Sequence, residues 1–280
     1  VPSGVLPAPE EWWLRFTHEA TRVAMEGVPR DHLLLHAAGA AESDGGVLVL
    51  AAPSGTGKTT AVTSLCRAGR EYVTDELVVI GPTGSVRPFP KPLSRVVGPG
   101  RKAETGPGGL GLVPVRGGSA ASQLRVATLV LLDRRRGCTP TLTPLALDQA
   151  IAALVPQSAL LTTRADPLVM LARLVADVGT WRLTYGEIEQ ALPLLEGLRD
   201  RPPTPPAQSW RAAHVAGGRG VVVESGGMAT ALVLDGEQLM SLTRLAPDDR
   251  TGGEGTIDRY AAPSPRRQDP PYGDSAGGPS

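Results

Sequence analysis

An α/β fold with a phosphate-binding core is the expectation, and three observations set it. The octapeptide Ala52-Pro53-Ser54-Gly55-Thr56-Gly57-Lys58-Thr59 places a glycine-rich loop, a lysine and a hydroxyl between an apolar run and a helical pattern. Two continuous apolar runs, Val47 to Ala51 and Val126 to Leu132, have the composition of strands buried on both faces. Helical and strand patterns alternate from Asp166 to Leu198, as they do when helices cover a sheet.

Residues 1 to 30 open in proline-rich coil, and Glu10 to Leu14 reads as a strand or helix laid over the core, with Trp12 and Trp13 packing as ordinary aromatics. From His32 to Ile80 the expected order is strand, strand, helix, strand. Between the second strand and the helix, backbone N–H groups of the loop converge on an anion, and the helix N-terminus adds its positive dipole end. Ser54, Gly55, Thr56, Gly57, Lys58, Thr59 and Thr60 are therefore the expected nucleotide contacts, with Lys58 reaching the β and γ oxygens and Thr59 facing Mg²⁺. Ala52 stands where the usual pattern has its first glycine, so the loop must open through a conformation that tolerates a Cβ.

Asp75 and Glu76 sit between apolar pairs in Tyr72 to Ile80. Phosphoryl transfer asks carboxylates for two tasks, orienting the metal shell and accepting a proton from the attacking hydroxyl, and adjacent acids can divide them. The same pair also suits a plain strand-end turn. His36 closes the apolar segment His32 to His36, and spacing alone reads it as a structural histidine.

Residues 81 to 121 are dense in glycine and proline, and a stretch of that kind is expected to be structureless without ligand and to bind an acceptor on closure. After the second buried run, Asp133 to Arg136 reads as a solvated turn. Leu147 to Leu154 and Asp166 to Val178 read as helices, the second with Asp166 as N-cap, Pro167 at the first position and Leu168, Leu171 and Val175 on one face. Thr180 to Tyr185 is a strand and Glu187 to Leu198 a closing helix. Arg201-Pro202-Pro203-Thr204-Pro205-Pro206 reads as a stiff linker, setting off a small β segment at 208–247 with three short strands. From Asp248 on, the Gly-, Pro- and Ser-rich composition predicts disorder.

The 280 residues include 34 glycines, 27 prolines and only 4% aromatics, so the core must rest on Leu, Val and Ala. Zero net charge gives no bulk attraction to nucleic acid or to an anionic membrane. Two cysteines, Cys66 and Cys138, have neither metal-site spacing nor disulfide density and are expected as reduced thiols. With no long apolar span and no leader pattern, the expected location is cytoplasmic.

Taken together, His36, the Ser54 to Thr59 loop and Asp75-Glu76 resemble the HPr kinase/phosphorylase family, whose nucleotide fold is related to that of phosphoenolpyruvate carboxykinase. Glu76 stands where that family typically has a second aspartate. Val86 to Leu93 and Arg182 to Gly186 are similar to segments of shorter HPr-kinase-like proteins found near ribosomally made peptide pathways, including lasso-peptide clusters. The likeness spans about residues 30 to 200, and 208–247 looks like the opening of a PqqD-type peptide-binding module without its helical half. The resemblance implies an ATP- and Mg²⁺-dependent serine kinase acting on a precursor peptide or protein. Asp75 would be the base, His36 would tune it, Thr59, Glu76 and Asp75 would hold the metal, and Lys91 and Arg95 would meet the transferring phosphate. It also leaves room for a homo-oligomer. A small-molecule hydroxyl kinase and an ATP-dependent peptide chaperone without transfer remain open on the residues alone.

Overall fold

A computed structural model describes residues 9–89, 92–98, 101–105, 112–114, 124–198, 208–215, 218–245 and 257–258. The chain is α/β with mixed sheets. Its central sheet has six strands: β2 (Ala37–Ala41), β3 (Gly46–Ala51), β4 (Glu71–Thr74), β9 (Arg125–Arg134), β10 (Thr141–Pro144) and β11 (Thr180–Tyr185). Their order is β10-β11-β9-β3-β2-β4. Strands β3, β9 and β11 are parallel, while β10, β2 and β4 pair antiparallel around them.

Side-chain alternation along β3 explains its unbroken apolar run. Val47, Val49 and Ala51 enter one buried cluster, and Leu48 and Leu50 enter the other. The second cluster is covered by α2 (Lys58–Arg67) and α5 (Ile188–Glu196) through Ala61, Val62, Leu65, Ala191 and Leu195. The first is covered by α3 (Leu147–Leu154) and α4 (Pro167–Val178), where Leu168, Leu171 and Val175 are all buried, as their spacing predicts. A small sheet of β1 (Leu33–Leu35), β5 (Val78–Ile80) and β6 (Val86–Arg87) flanks this core.

Several local expectations are revised. Residues 9–26 form a helix, α1, and the side chains of Trp12 and Trp13 lie outside the described residues. Part of 81–121 is regular: it holds β6 and a hairpin of β7 (Leu93–Gly98) with β8 (Arg101–Thr105). Leu93 and Leu112 anchor it in the second cluster, an apolar grip that the surrounding Gly and Pro obscure in the sequence. Its glycine runs at 106–109 and 117–118 lie outside the described residues. Asp166 does occupy the N-cap of α4, but in the left-handed region at φ 50° and without a side-chain capping bond. Its carboxylate pairs instead with Arg219, at 2.7 Å.

The proline-rich segment 201–207 lies outside the described residues, and the chain after it is fixed at once, since Gln208 Oε1 accepts from the Leu147 N–H at 2.6 Å. That bond satisfies a donor at the start of α3 from far away in sequence. An antiparallel meander follows: β12 (Ser209–Val215), β13 (Gly218–Ser225), β14 (Met228–Asp235) and β15 (Gln238–Leu245). There are thus four strands of seven or eight residues where three short ones are expected. Val221, Val223, Leu232 and Leu239 enter the same cluster as the α4 leucines, so this sheet shares a core with the helices. Within the tail expected to be disordered, Ile257–Asp258 pairs with Leu242 and Ser241 on the open edge of β15 as β16. The remainder of the tail lies outside the described residues.

Cys66 is buried on α2, and burial pushes its thiol up to about 12. A thiol reagent at pH 8 is therefore expected to modify one cysteine per native chain, the half-buried Cys138, and both after unfolding. Equal rates at the two sites would show that α2 does not seal this face.

Candidate active site

Strand β3 ends at Ala51, the loop runs through 52–57, and α2 begins at Lys58. Gly55 and Gly57 take positive φ, 83° and 106°, which a side chain would resist, whereas Ala52 is absent from the positive-φ residues of the described chain. The missing first glycine is thereby explained, because the backbone at position 52 does not need one. Ser54 and Gly55 are exposed at the loop tip, and Thr60 is exposed on the first turn of α2.

Lys58 is only 6% exposed. Its Nζ donates to the carbonyl oxygens of Ala52 at 2.6 Å and Pro53 at 3.3 Å, so the ammonium lies back across the loop that it follows. A buried ammonium needs such acceptors, and two carbonyls are weaker partners than the oxygens of a phosphate.

Asp75 lies just past β4, and the fold carries it to the loop. Thr59 Oγ1 donates to Asp75 Oδ2 at 3.2 Å, and Tyr72 OH donates to Asp75 Oδ1 at 3.2 Å. Burial, then the neighbouring Asp75, pushes the Tyr72 phenol well above its ordinary range, which keeps it a donor. The next turn is held by Thr74 Oγ1, which accepts from the N–H groups of Glu76 at 3.3 Å and Leu77 at 3.4 Å. His36 joins the same turn: its Nδ1 lies 3.1 Å from the Glu76 carbonyl, and the neighbouring Ala37 N–H donates to that carbonyl at 3.2 Å. His36 thus meets the acid pair through the backbone of Glu76.

A second tyrosine braces the loop from β11. Tyr185 OH donates to the Thr56 carbonyl at 3.0 Å, and a Cβ at Gly57 would stand 3.1 Å from that hydroxyl. Burial raises the Tyr185 phenol as well. Neither tyrosine is singled out by sequence motif. The available signal is a phenol among aliphatic strand residues in a chain with four tyrosines, since a buried hydroxyl needs a polar partner. Tyr185→Phe is expected to speed hydrogen exchange of the loop amides around Thr56 and Gly57 about 3-fold or more, checked by native-state exchange.

Lys91 lies outside the described residues, and Arg95 is placed on β7 opposite Ala103 with its side chain also outside them. Asp133 and Arg134 end β9 rather than sit in the expected turn; Arg135 pairs with Asp133 at 2.8 Å, and Arg134 reaches Glu187, far away in sequence, at 3.0 Å. Among the described residues no cluster of three or more His, Cys, Asp or Glu is gathered for a metal, and no helix is long and apolar enough to cross a membrane.

No family model matches the chain, and no curated protein matches it. Among solved structures, the HPr(Ser) kinase/phosphatase from Coxiella burnetii is similar over 60% of this chain and 94% of that one, at 12% identity and a TM-score of 0.30. A likeness at that score leaves activity to be argued from the residues of this chain.

Proposed function

We propose that the protein is an ATP- and Mg²⁺-dependent kinase that passes the γ-phosphate to an alcohol, most specifically a serine of a ribosomally made precursor peptide. The observation that carries this reading is the Thr59 to Asp75 hydrogen bond, which joins the hydroxyl after the loop lysine to an acid just past the end of β4. A hydroxyl and a carboxylate side by side suit Mg²⁺, which takes oxygen ligands, accepts one or two carboxylates and keeps several waters. Thr59 and Asp75 would hold it, with Glu76 next in the chain. When bound, the metal would offset the negative charge of the phosphate oxygens.

The remaining chemistry is positioning and proton handling by this chain's own groups. The loop amides orient the phosphates, and Lys58 exchanges the Ala52 and Pro53 carbonyls for phosphate oxygens. As the acceptor oxygen bonds to the γ-phosphorus, its proton passes to Asp75, and the bond from that phosphorus to the bridging oxygen breaks, leaving ADP with the electron pair. His36 steadies the Glu76 carbonyl and so the turn that presents Asp75. The peptide acceptor follows from the likeness of Val86 to Leu93 and Arg182 to Gly186 to kinases of peptide pathways.

The test is incubation with ATP, Mg²⁺ and serine-containing precursor peptides, read by mass for one added phosphate. A phosphorylated peptide that loses its label when the serine becomes alanine is the expected result. Phosphate appearing only on a small alcohol would move the acceptor to small molecules, and peptide binding without transfer would replace the kinase by a chaperone.

A further inference from the structure

Strand β4 ends the central sheet, and residues 112–114 lie along it. The Tyr72 N–H donates to the Val113 carbonyl at 2.7 Å, and Tyr72 and Pro114 form a parallel bridge. Leu112 is 3% exposed and shares the second buried cluster with Tyr72 and Leu93, while Val113 is 59% exposed. This strap therefore seats on the sheet by an apolar plug in the cluster that Tyr72 shares and by a backbone bond to Tyr72 itself.

The other end of the same residue reaches the site. Tyr72 is fully buried, and its hydroxyl donates to the Asp75 oxygen opposite the one held by Thr59. A carboxylate with a donor at each oxygen cannot turn about its last torsion without breaking one of them. Phenylalanine would fill the space of the ring equally well, and burying a phenol without a partner is costly, so Asp75 accounts for the hydroxyl at this position. A ring with two side-chain torsions, packed on all sides, moves with its backbone.

We propose that Tyr72 is a positioning residue that ties the seating of the 112–114 strap to the orientation of Asp75, so that an acceptor contacting the strap acts on the carboxylate. The inference rests on the kinase reading above for its catalytic consequence, though not for its structural one. Contact with the exposed Val113 side of the strap is the natural point of control, because the buried side is already committed to the core.

Tyr72→Phe, Leu112→Val and their combination test it in the full-length protein. Tyr72→Phe is expected to lower kcat about 10-fold with the ATP KM within 2-fold, and Leu112→Val to lower it several-fold. The double variant should be no slower than Tyr72→Phe alone, because the coupling runs through the hydroxyl already removed. Multiplying losses, or an unchanged kcat in Tyr72→Phe, would overturn the proposal. A merely structural role would lower the melting temperature and leave kcat intact in the folded enzyme. Hydrogen exchange supplies a readout free of activity: the Glu76 and Leu77 amides should exchange about 3-fold faster or more in both single variants, with α2 unchanged. Wild-type protein that phosphorylates no alcohol would remove the kinase reading, and the exchange rates would then decide the coupling alone, with rates equal to wild type overturning it.

Discussion

Replacing Lys58 with methionine is expected to lower kcat/KM for phosphoryl transfer about 1000-fold while changing folding stability by no more than about 1 kcal/mol. The large loss follows from the role proposed for the ammonium as charge moves to the γ-phosphate oxygens, since in a buried, water-poor setting a cation is worth far more than in solvent. The small stability change follows from opposed terms. The variant deletes a buried charge that is costly to desolvate, and it takes a donor from the carbonyls of Ala52 and Pro53. Methionine keeps the unbranched stem, so packing on α2 is retained. Steady-state kinetics beside a denaturant melt separate the two numbers. Transfer within 10-fold of wild type would mean that the loop does not hold the reacting phosphate.

Asp75→Asn is expected to reduce transfer about 100- to 1000-fold, with nucleotide binding within a few-fold of wild type. The substitution keeps the shape and removes the group proposed to take the proton. It also turns one acceptor into a donor facing a hydroxyl that currently donates, from Thr59 or Tyr72, and that hydroxyl must rotate to accept. In the proposed site the loop amides and Lys58 carry most of the binding, and Asn at position 75 keeps one oxygen that a metal could use. Rapid-quench measurement of the chemical step, with nucleotide affinity by calorimetry, checks both halves. An unaltered chemical step would remove Asp75 from the proton transfer and leave it beside Thr59 as a metal-holding group alone.

The elements legible in the sequence were those whose signal is local. The loop announces itself because lysine, hydroxyl and glycines must be consecutive to wrap one phosphate, and Gly55 and Gly57 take the positive φ that such a loop needs. β3, β9, α4 and β11 announce themselves because buried strands and one-faced helices leave periodic apolar patterns. The hairpin β7–β8 and the strap at 112–114 did not, since each is anchored by a single leucine, Leu93 or Leu112, in a glycine- and proline-rich stretch, and two leucines make no period. The meander after residue 208 was legible in part, as three short strands, while β12 and the core that the sheet shares with α4 were not, because packing between distant segments leaves no local pattern.

What the sequence by itself determined is the inventory: an α/β chain, a glycine-rich loop between β3 and α2, an acid pair and a core of aliphatic residues. Tertiary structure alone decided how those parts meet. Asp75 reaches Thr59 because β2 lies between β3 and β4 and pairs with both, which carries the end of β4 to the loop that β3 feeds. Tyr72 and Tyr185 brace the two sides of the site from strands at opposite reaches of the sheet. A hydrogen bond depends on distance in space, and strand order, which sets that distance, is fixed by packing between segments far apart in the chain.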